Sequence, residues 1–381
     1  MPRVLLLCEY ASLNGGERSL LALVERGDGG EFEFIAAAPP EGSLATAFLA
    51  RGISVEPFGE DASVGGLAEE AAAPAAKPSQ AIRRERLAEL LTRIRPDVLH
   101  ANSLSMSRLS GPVAEETETA SIGHLRDIVR VSRRAMDDIN RHGRILAVSQ
   151  ATREFHVQAG LAAEKSHVLF NGVDLDVFRP APATGYLHDE LVAPRSASLI
   201  GCIGQLGMRK GIDVLLDAAR RVVERVDAHF VLVGRRHSAK QEAIEYERRL
   251  RRMAAAKPLS GRVHFVGERQ DVPQLMREFA VLAHAARQEP LGRVLLEACA
   301  SGTPVVATEA GGTREIFPDP AMARIVPVDD SRLLADALID VLSNEMLRRS
   351  LASAARRRAE ATFDAGWAAR QLFEHYASAA R

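Results

Sequence analysis

Two carboxylates, Glu289 and Glu297, flank the start of a predicted apolar helix over residues 291–300. Glu289 precedes the helix, and Glu297 lies in its second turn, roughly 6–9 Å from the helix start at about 1.5 Å per residue. The free backbone N–H groups of Gly292 and Arg293 open the helix, and such a terminus attracts phosphate. Because ionised carboxylates accept hydrogen bonds from hydroxyl groups, the segment predicts a site for an extended ligand with phosphate and sugar moieties. The alternative is that both glutamates are solvated surface residues.

The first half of the chain predicts alternating strands and helices. Short β-rich runs are separated by segments long enough for crossover helices, and these runs are 3–8, 32–38, 53–57, 97–100, 119–123 and 145–148. Such alternation is typical of a parallel sheet that is covered on both faces. Residues 60–79 are rich in Ala, Gly and Pro and predict a loop without chemistry.

The second half repeats the pattern after an interruption at Pro180, Pro182, Gly185 and Pro194, which predicts a linker. The strands then predicted are 198–203, 229–233, 263–266, 281–284, 304–307 and 325–328. We therefore expect an α/β protein with two Rossmann-like domains, residues 1–178 and 195–361, and a terminal helix in 362–381 that packs back on the first domain. Loops beyond the carboxyl ends of the strands are where such sheets bind ligands.

Composition narrows the class of partner. The 381 residues carry a formal net charge of −1, which gives no reason to expect nucleic acid. The cysteines Cys8, Cys202 and Cys299 lie far apart inside apolar runs, so we expect buried thiols. No apolar run approaches the roughly 18–20 residues of a membrane-spanning helix. We therefore expect a cytoplasmic protein that acts on small molecules, with the inner face of the membrane as a further location.

The motif region around the two glutamates resembles a known family. Its pattern is E-x-x-G-x-x-x-x-E-A from Glu289, then G-T-P-V-V-A-T from Gly302 and G-G-x-x-E from Gly311. This pattern is similar to that of the retaining glycosyltransferases of family four, which have the GT-B fold, two Rossmann-like domains that face each other across a cleft. Further segments agree in order and spacing, namely Gly15-Gly-Glu17, Asp97-Val-Leu-His100, His124, Asn171-Gly-Val-Asp174 and Gly204 through Gly211.

The resemblance implies a donor site in the second domain. Lys210 matches the lysine that contacts the donor diphosphate, where a fixed cation stabilises the charge on the departing nucleotide. Glu289 matches the residue that binds donor-sugar hydroxyls, and Glu297 matches the one that holds the ribose. The other donor-binding residues implied are Gly16, Gln205, Arg209, Leu291, Gly292 and Arg293.

Two of these positions depart from the family pattern. Gln205 stands where the family often has an arginine, and Arg209 is the candidate for the missing cation. Leu291 stands where many members have phenylalanine, which is a mild change.

The resemblance also implies roles in the first domain. His124 matches the histidine near the donor sugar and the reacting centre, where a neutral imidazole hydrogen-bonds a hydroxyl or positions the acceptor. Gly15 and Gly16 match the loop that approaches the donor phosphate or the acceptor, and Asp127 is a candidate for orienting His124 or the acceptor. On this basis His124, Lys210 and Glu289 are the predicted catalytic residues, and Gly15 and Asp127 the predicted acceptor-binding ones.

We therefore expect a retaining transfer of a hexose from a UDP- or GDP-sugar to a hydroxyl acceptor such as a lipid-linked saccharide, without a cofactor or metal. A nucleotide-sugar epimerase of the same fold and a non-catalytic nucleotide-sugar-binding protein are the alternatives. A dehydrogenase is disfavoured because no G-x-G-x-x-G follows the first strand. Peripheral membrane contact is a further expectation, and the alternative is a solvated helix face. The expectation rests on three apolar residues, Ile128, Val131 and Ile139, that lie among the arginines Arg126, Arg130, Arg133, Arg134, Arg141 and Arg144.

Overall fold

A computed structural model describes residues 1–27, 30–59 and 79–380. The chain divides into two compact units. The first comprises Met1–Gly172 together with Ala365–Arg381, and the second comprises Val173–Asp364. The predicted loop over 60–79 lies, except for Ser79, outside the described residues.

The first unit is built on a parallel sheet with the order β3-β2-β1-β4-β5-β6-β7. Its strands are β1 (Arg3–Leu7), β2 (Glu33–Ala38), β3 (Ser54–Pro57), β4 (Val98–Ala101), β5 (Ser121–Leu125), β6 (Arg144–Ala147) and β7 (Ser166–Val168). The helices are α1 (Gly15–Gly27), α2 (Ser43–Leu49), α3 (Gln80–Ile94), α4 (Leu104–Glu116), α5 (Arg133–Asn140) and α6 (Gln150–Gln158), with a 3-10 turn at Ala163–Lys165. The inner strands β4 and β5 are buried along their whole length, as a sheet covered on both faces requires.

The second unit has a parallel sheet with the order β10-β9-β8-β11-β12-β13. Its strands are β8 (Ser198–Ile203), β9 (Ala228–Val233), β10 (Val263–Gly267), β11 (Val281–His284), β12 (Val305–Thr308) and β13 (Arg324–Val326). The helices are α7 (Tyr186–Leu191), α8 (Ile212–Val223), α9 (Gln241–Ala255), α10 (Val272–Glu278), α11 (Arg293–Ser301), α12 (Thr313–Ile316), α13 (Ser331–Ser343) and α14 (Glu345–Thr362), with a 3-10 turn at Met208–Lys210.

The last helix, α15 (Ala365–Ala379), returns to the first unit and packs against α1, as expected. Its Phe373 and Tyr376 join Phe32 and Phe34 in one aromatic cluster, with ring centroids 5.2–6.3 Å apart. Large aromatic side chains bury much apolar area, so this helix completes the core on one face of the first sheet.

Two parts of the sequence interpretation change. The short edge strand β7 is present where the sequence predicted no strand. The stretch from Pro180 to Pro194 lies within the second unit and contains α7, so it is not an unstructured connector. The three cysteines are free and buried, which confirms their predicted environment.

Candidate functional site

The candidate donor residues lie at the point of the second sheet where the strand order reverses. Strands β8 and β11 are neighbours, and the chain leaves them towards opposite edges of the sheet. The loop after β8 carries Lys210 and the loop after β11 carries Glu289. Open parallel sheets bind ligands at such a switch point, beyond the carboxyl ends of the strands. The topology thus brings together two residues that are 79 positions apart.

Glu289 is held by two donors. The Lys210 ammonium forms an ion pair with Glu289 Oε2. His284, the last residue of β11, donates from Nε2 to the same oxygen at 2.8 Å. Glu289 is only 6% exposed, so the alternative of a solvated surface carboxylate is wrong for it.

The charges of this cluster are fixed by its surroundings. Burial alone would raise the pKa of Glu289, but the Lys210 charge and the His284 hydrogen bond outweigh burial and hold the pKa well below its ordinary value. Burial lowers the pKa of His284, so its imidazole is neutral near pH 7. The cluster therefore presents an ammonium, an ionised carboxylate and a neutral imidazole.

Backbone geometry explains the two glycines beside these residues. Gly211 has φ +59°, and a Cβ there would lie 1.9 Å from the Ala285 carbonyl oxygen, so only glycine lets the loop after β8 pack so closely. Gly292, at φ +100°, caps α11 in a left-handed conformation. The helix therefore begins at Arg293, two residues later than predicted, but its N-terminus still follows Glu289 closely.

The remaining predicted donor residues, except Gly16 of the first unit, lie on the same unit. Glu297 is 8% exposed, and its Oε1 accepts a 2.7 Å hydrogen bond from Nε of Arg293, one turn earlier. Leu291 is buried, Gln205 is partly buried and Arg209 is exposed. The Arg209 carbonyl accepts from the backbone N–H of Arg287, which ties the two loops together.

A second polar cluster lies at the carboxyl ends of β4 and β5 in the first unit. His124 is fully buried, and its Nδ1 lies 3.1 Å from Nε2 of His100 and 3.2 Å from Nη2 of Arg126. His100 Nδ1 in turn lies 2.5 Å from the Tyr376 hydroxyl on α15. Nε2 of His124 has no hydrogen-bond partner among the described residues. His124 thus has one ring nitrogen hydrogen-bonded and the other buried without a partner among the described residues.

Arg126 organises this cluster. Its Nε donates to Asn102 Oδ1 at 2.9 Å and its Nη1 to Asn171 Oδ1 at 2.8 Å. Burial lowers its pKa to about 10, and nearby Glu17 opposes that shift, so the guanidinium stays charged near pH 7. The cluster is thus positively charged and contains neutral imidazoles, because burial lowers the pKa of His100 to about 3 and that of His124 well below its ordinary value.

The other predicted residues of the first unit border this cluster. A Cβ on Gly16 would lie 3.0 Å from Cδ of Arg126, whereas one on Gly15 would meet no atom within 4 Å. Asp127 is exposed, and its carbonyl accepts from Nε2 of His156 at 2.8 Å. The hydrogen bonds that orient His124 come from His100 and Arg126, so the suggestion that Asp127 orients it is not supported.

Sequence reasoning gave no catalytic or binding role to His284, Arg126 or Tyr376, although it counted Arg126 among the arginines of the predicted membrane-contact segment. A polar residue that ends an otherwise apolar strand was the available signal for His284. Asp97-Val-Leu-His100 was recognised as a motif but assigned no role. Tyr376 gives no local signal, since it occupies an ordinary apolar position of a helix.

The mixed arginine and apolar segment does not form one surface. Ile139 is buried, and Val131 packs against the same core cluster. Arg126 belongs to the His124 cluster, and Arg141 pairs with Glu115 on α4. The apolar side of α5 therefore faces the protein, so this segment does not support the predicted membrane-contact face.

The described ranges hold neither a metal-binding group of side chains nor a membrane-spanning helix. No three histidine, cysteine or acidic side chains there are grouped so that they could hold a metal ion. Within the same ranges, every helix is too short or too polar to cross a bilayer.

Proteins of known structure share this architecture. The crystal structure of Anabaena Alr3699/HepE in complex with UDP-glucose aligns with a TM-score of 0.85 at 24% identity, over 99% of both chains. Two parallel Rossmann-like sheets with a returning C-terminal helix, together with this likeness, define the GT-B fold. The model for Glycosyltransferase Family 4 matches residues 14–177, and that for Glycosyl transferases group 1 matches residues 187–358.

Individual relatives agree with these matches. The phosphatidyl-myo-inositol mannosyltransferase of Mycobacterium leprae is 31% identical over 372 residues, 92% of this chain and 90% of that protein. The D-inositol 3-phosphate glycosyltransferase of Corynebacterium urealyticum is 31% identical over 240 residues, 61% of this chain but only 56% of that protein. The chain belongs to glycosyltransferase family 4, and it is an enzyme that uses a nucleotide sugar.

Proposed function

We propose that this enzyme transfers a hexosyl unit, with retention of the anomeric configuration, from a UDP- or GDP-hexose to a hydroxyl group of a lipid-linked acceptor. The observation that carries the proposal is the buried cluster of Lys210, Glu289 and His284 just before the N-terminus of α11. An ammonium beside free helix N–H groups suits a diphosphate, and a buried carboxylate suits the hydroxyls of a sugar.

Binding exchanges partners within this cluster. The donor diphosphate takes the Lys210 ammonium, since two phosphates attract it more strongly than one carboxylate does. Glu289 keeps the hydrogen bond from His284 and turns its remaining acceptor positions to the sugar hydroxyls. Glu297, held by Arg293, accepts from the ribose hydroxyls.

In the transfer, the bond between the anomeric carbon and the diphosphate oxygen breaks. The acceptor oxygen bonds to that carbon on the same face, and its proton passes to the departing diphosphate. Lys210 and the helix terminus stabilise the charge that develops there, so this scheme needs no metal ion. The Nε2–H group of His124, which has no partner among the described residues, donates a hydrogen bond to a substrate hydroxyl.

The lipid-linked acceptor rests on the relatives. A phosphatidyl-myo-inositol mannosyltransferase aligns along 92% of the chain. We therefore place the acceptor hydroxyl on a glycolipid headgroup and the enzyme at the cytoplasmic side of the membrane while it acts.

A donor screen tests the proposal first. UDP- and GDP-hexoses are added to the full chain and the melting temperature is followed. A ligand at 100 times its Kd stabilises by about 2.7 kcal/mol, which is about 5–11 °C for a unit of this size. Lys210→Ala should abolish the shift, whereas Lys240→Ala, which changes an exposed lysine of the same unit, should not.

The second stage follows the sugar. The donor that binds is incubated with mixed micelles of glycolipid acceptors, and NMR reads the anomeric configuration of the product. A product with inverted configuration would contradict the retaining scheme. Isomerised nucleotide sugar formed without acceptor would indicate an epimerase instead. Donor binding accompanied by neither transfer nor slow hydrolysis would indicate a non-catalytic binder.

A further inference from the structure

His124 is part of a chain of hydrogen bonds that starts on the last helix. The chain runs from the Tyr376 hydroxyl to His100 Nδ1 at 2.5 Å, and from His100 Nε2 to His124 Nδ1 at 3.1 Å. The two imidazoles are stacked, with ring centroids 5.3 Å apart and planes 17° apart. All three side chains are fully buried. Water therefore does not compete for these hydrogen bonds.

The direction of this chain follows from Arg126. A guanidinium can only donate, so the contact of Arg126 Nη2 with His124 Nδ1 makes that nitrogen an acceptor. His100 must then donate from Nε2, which leaves its Nδ1 bare to accept from Tyr376. The proton of neutral His124 consequently resides on Nε2, the nitrogen that has no partner among the described residues.

We propose that Tyr376 and His100 are positioning residues that, with Arg126, lock His124 in the tautomer that carries its proton on Nε2, the ring nitrogen to which the proposed function assigns a substrate hydroxyl. The proposal rests on the role given to His124 in the proposed function. It extends the site to α15, because Tyr376 acts through His100 and touches no substrate itself.

The surroundings support a neutral, fixed ring. Burial is the main cause that lowers the pKa of His124, and the positive charge of Arg126 adds to it. Burial likewise raises the pKa of Tyr376, so its hydroxyl keeps the proton that it donates. An unpaired buried N–H is costly, and a hydroxyl ligand that accepts from His124 Nε2 removes that cost.

A glutamine at position 100 provides a sharp test. In His100→Gln, the amide oxygen can accept from Tyr376 and the amide N–H can donate to His124, so the direction of the chain is kept. In His100→Leu, both hydrogen bonds are lost. We expect kcat to fall about tenfold or more in the leucine variant, because the variant loses hydrogen bonds and leaves buried polar groups unpaired. The donor KM should stay within about twofold of the wild-type value. The glutamine variant should restore most of kcat.

The spectroscopic readout is independent of activity. The 11 histidines are labelled with ¹⁵N in the full chain, and two-bond ¹H–¹⁵N spectra near neutral pH report the tautomer of each ring. His124→Gln and His100→Gln identify the two signals. Wild type should show the Nε2–H form at both positions. In Tyr376→Phe, His100 should no longer show a single tautomer, and kcat should fall about 3- to 10-fold. The control, Tyr186→Phe, removes a hydroxyl that bonds Asp271 in the second unit and should change neither.

The outcomes separate the proposal from the proposed function. An Nδ1–H form of His124 in wild type would overturn the proposed direction of the hydrogen bonds from Tyr376 through His100 to His124. Altered tautomers with unchanged kcat, or reduced kcat with unchanged tautomers, would overturn the positioning role. If no donor or acceptor is turned over, the proposed function fails, while the wild-type spectra still decide the tautomer.

Discussion

Replacing Lys210 by methionine removes the ammonium from a carboxylate that has almost no access to water. The side chain of Glu289 is 7% exposed, and that of Lys210 is 13% exposed. In Lys210→Met, Glu289 keeps a single donor, His284. Its charge is then stabilised only by a neutral imidazole, because burial lowers the pKa of His284.

Breaking a buried ion pair by removing one partner costs roughly 3–5 kcal/mol. For a unit of this size, each kcal/mol shifts the melting temperature by about 2–4 °C, so a fall of about 6–20 °C is expected. The double variant Lys210→Met/Glu289→Gln removes both charges and keeps an acceptor for His284. It should therefore melt above Lys210→Met, with a coupling energy on the order of 1–3 kcal/mol.

The double variant should recover melting temperature but not activity. The double variant still lacks the cation for the diphosphate, so both variants should lose about 10²- to 10³-fold in kcat/KM, or roughly 2.7–4 kcal/mol of transition-state stabilisation. Scanning calorimetry and donor-saturation kinetics measure the two effects on the same preparations. Lys240→Met, which changes an exposed lysine, is the matched control.

The pH dependence gives a further check. The folded pKa of Glu289 lies below its ordinary value of 4.5, so the pair stabilises fully above about pH 4.5 and loses this contribution as the pH falls further. The difference in melting temperature between wild type and Lys210→Met should therefore be largest near neutral pH and shrink in acid. A double variant as unstable as Lys210→Met, or no loss of stability in the single variant, would refute this account of the cluster.

Three further outcomes are expected. Burial lowers the pKa of His142 from 6.5 to about 4, so protonation of His142 favours unfolding. The free energy of unfolding should therefore decrease as the pH is lowered from about 6.5 to about 4. His142→Gln should remove up to about 1.4 kcal/mol per pH unit from this slope in calorimetry, and an unchanged slope would contradict it. Gly211→Ala should lower the melting temperature and donor affinity far more than Gly261→Ala, because both have positive φ but only the first Cβ meets a backbone atom; equal losses would show that close packing is unimportant. Glu297→Gln should raise the donor KM about tenfold with little change in kcat, and an unchanged KM would remove it from the ribose site.

The fold followed largely from the sequence because buried parallel strands and crossover helices leave clear periodic signals. All six strands of the second sheet were predicted, with ends shifted by a few residues. Strand β7 has only three residues, two of them polar, which is too little for such a pattern. The start of α11 moved because Gly292 adopts a left-handed conformation that the sequence alone does not reveal.

The candidate site was predicted less completely, because its contacts span long sequence separations. Glu289 and Lys210 were each identified from motifs, yet their ion pair joins residues 79 positions apart. The bond between His100 and Tyr376 spans 276 positions, and the motif that contains His100 gives no indication of Tyr376 as its partner. Motifs identify residue types, whereas the strand order decides which of them meet.

The path of the backbone has a consequence for how the protein is made. The first unit needs α15, but the whole second unit, Val173–Asp364, is synthesised before it. A nascent chain that ends before Ala365 would leave Phe32 and Phe34 without Phe373 and Tyr376 and exposed to aggregation. The continuous second unit can fold on the ribosome first, so we expect this enzyme to reverse the usual N-to-C order of co-translational domain folding.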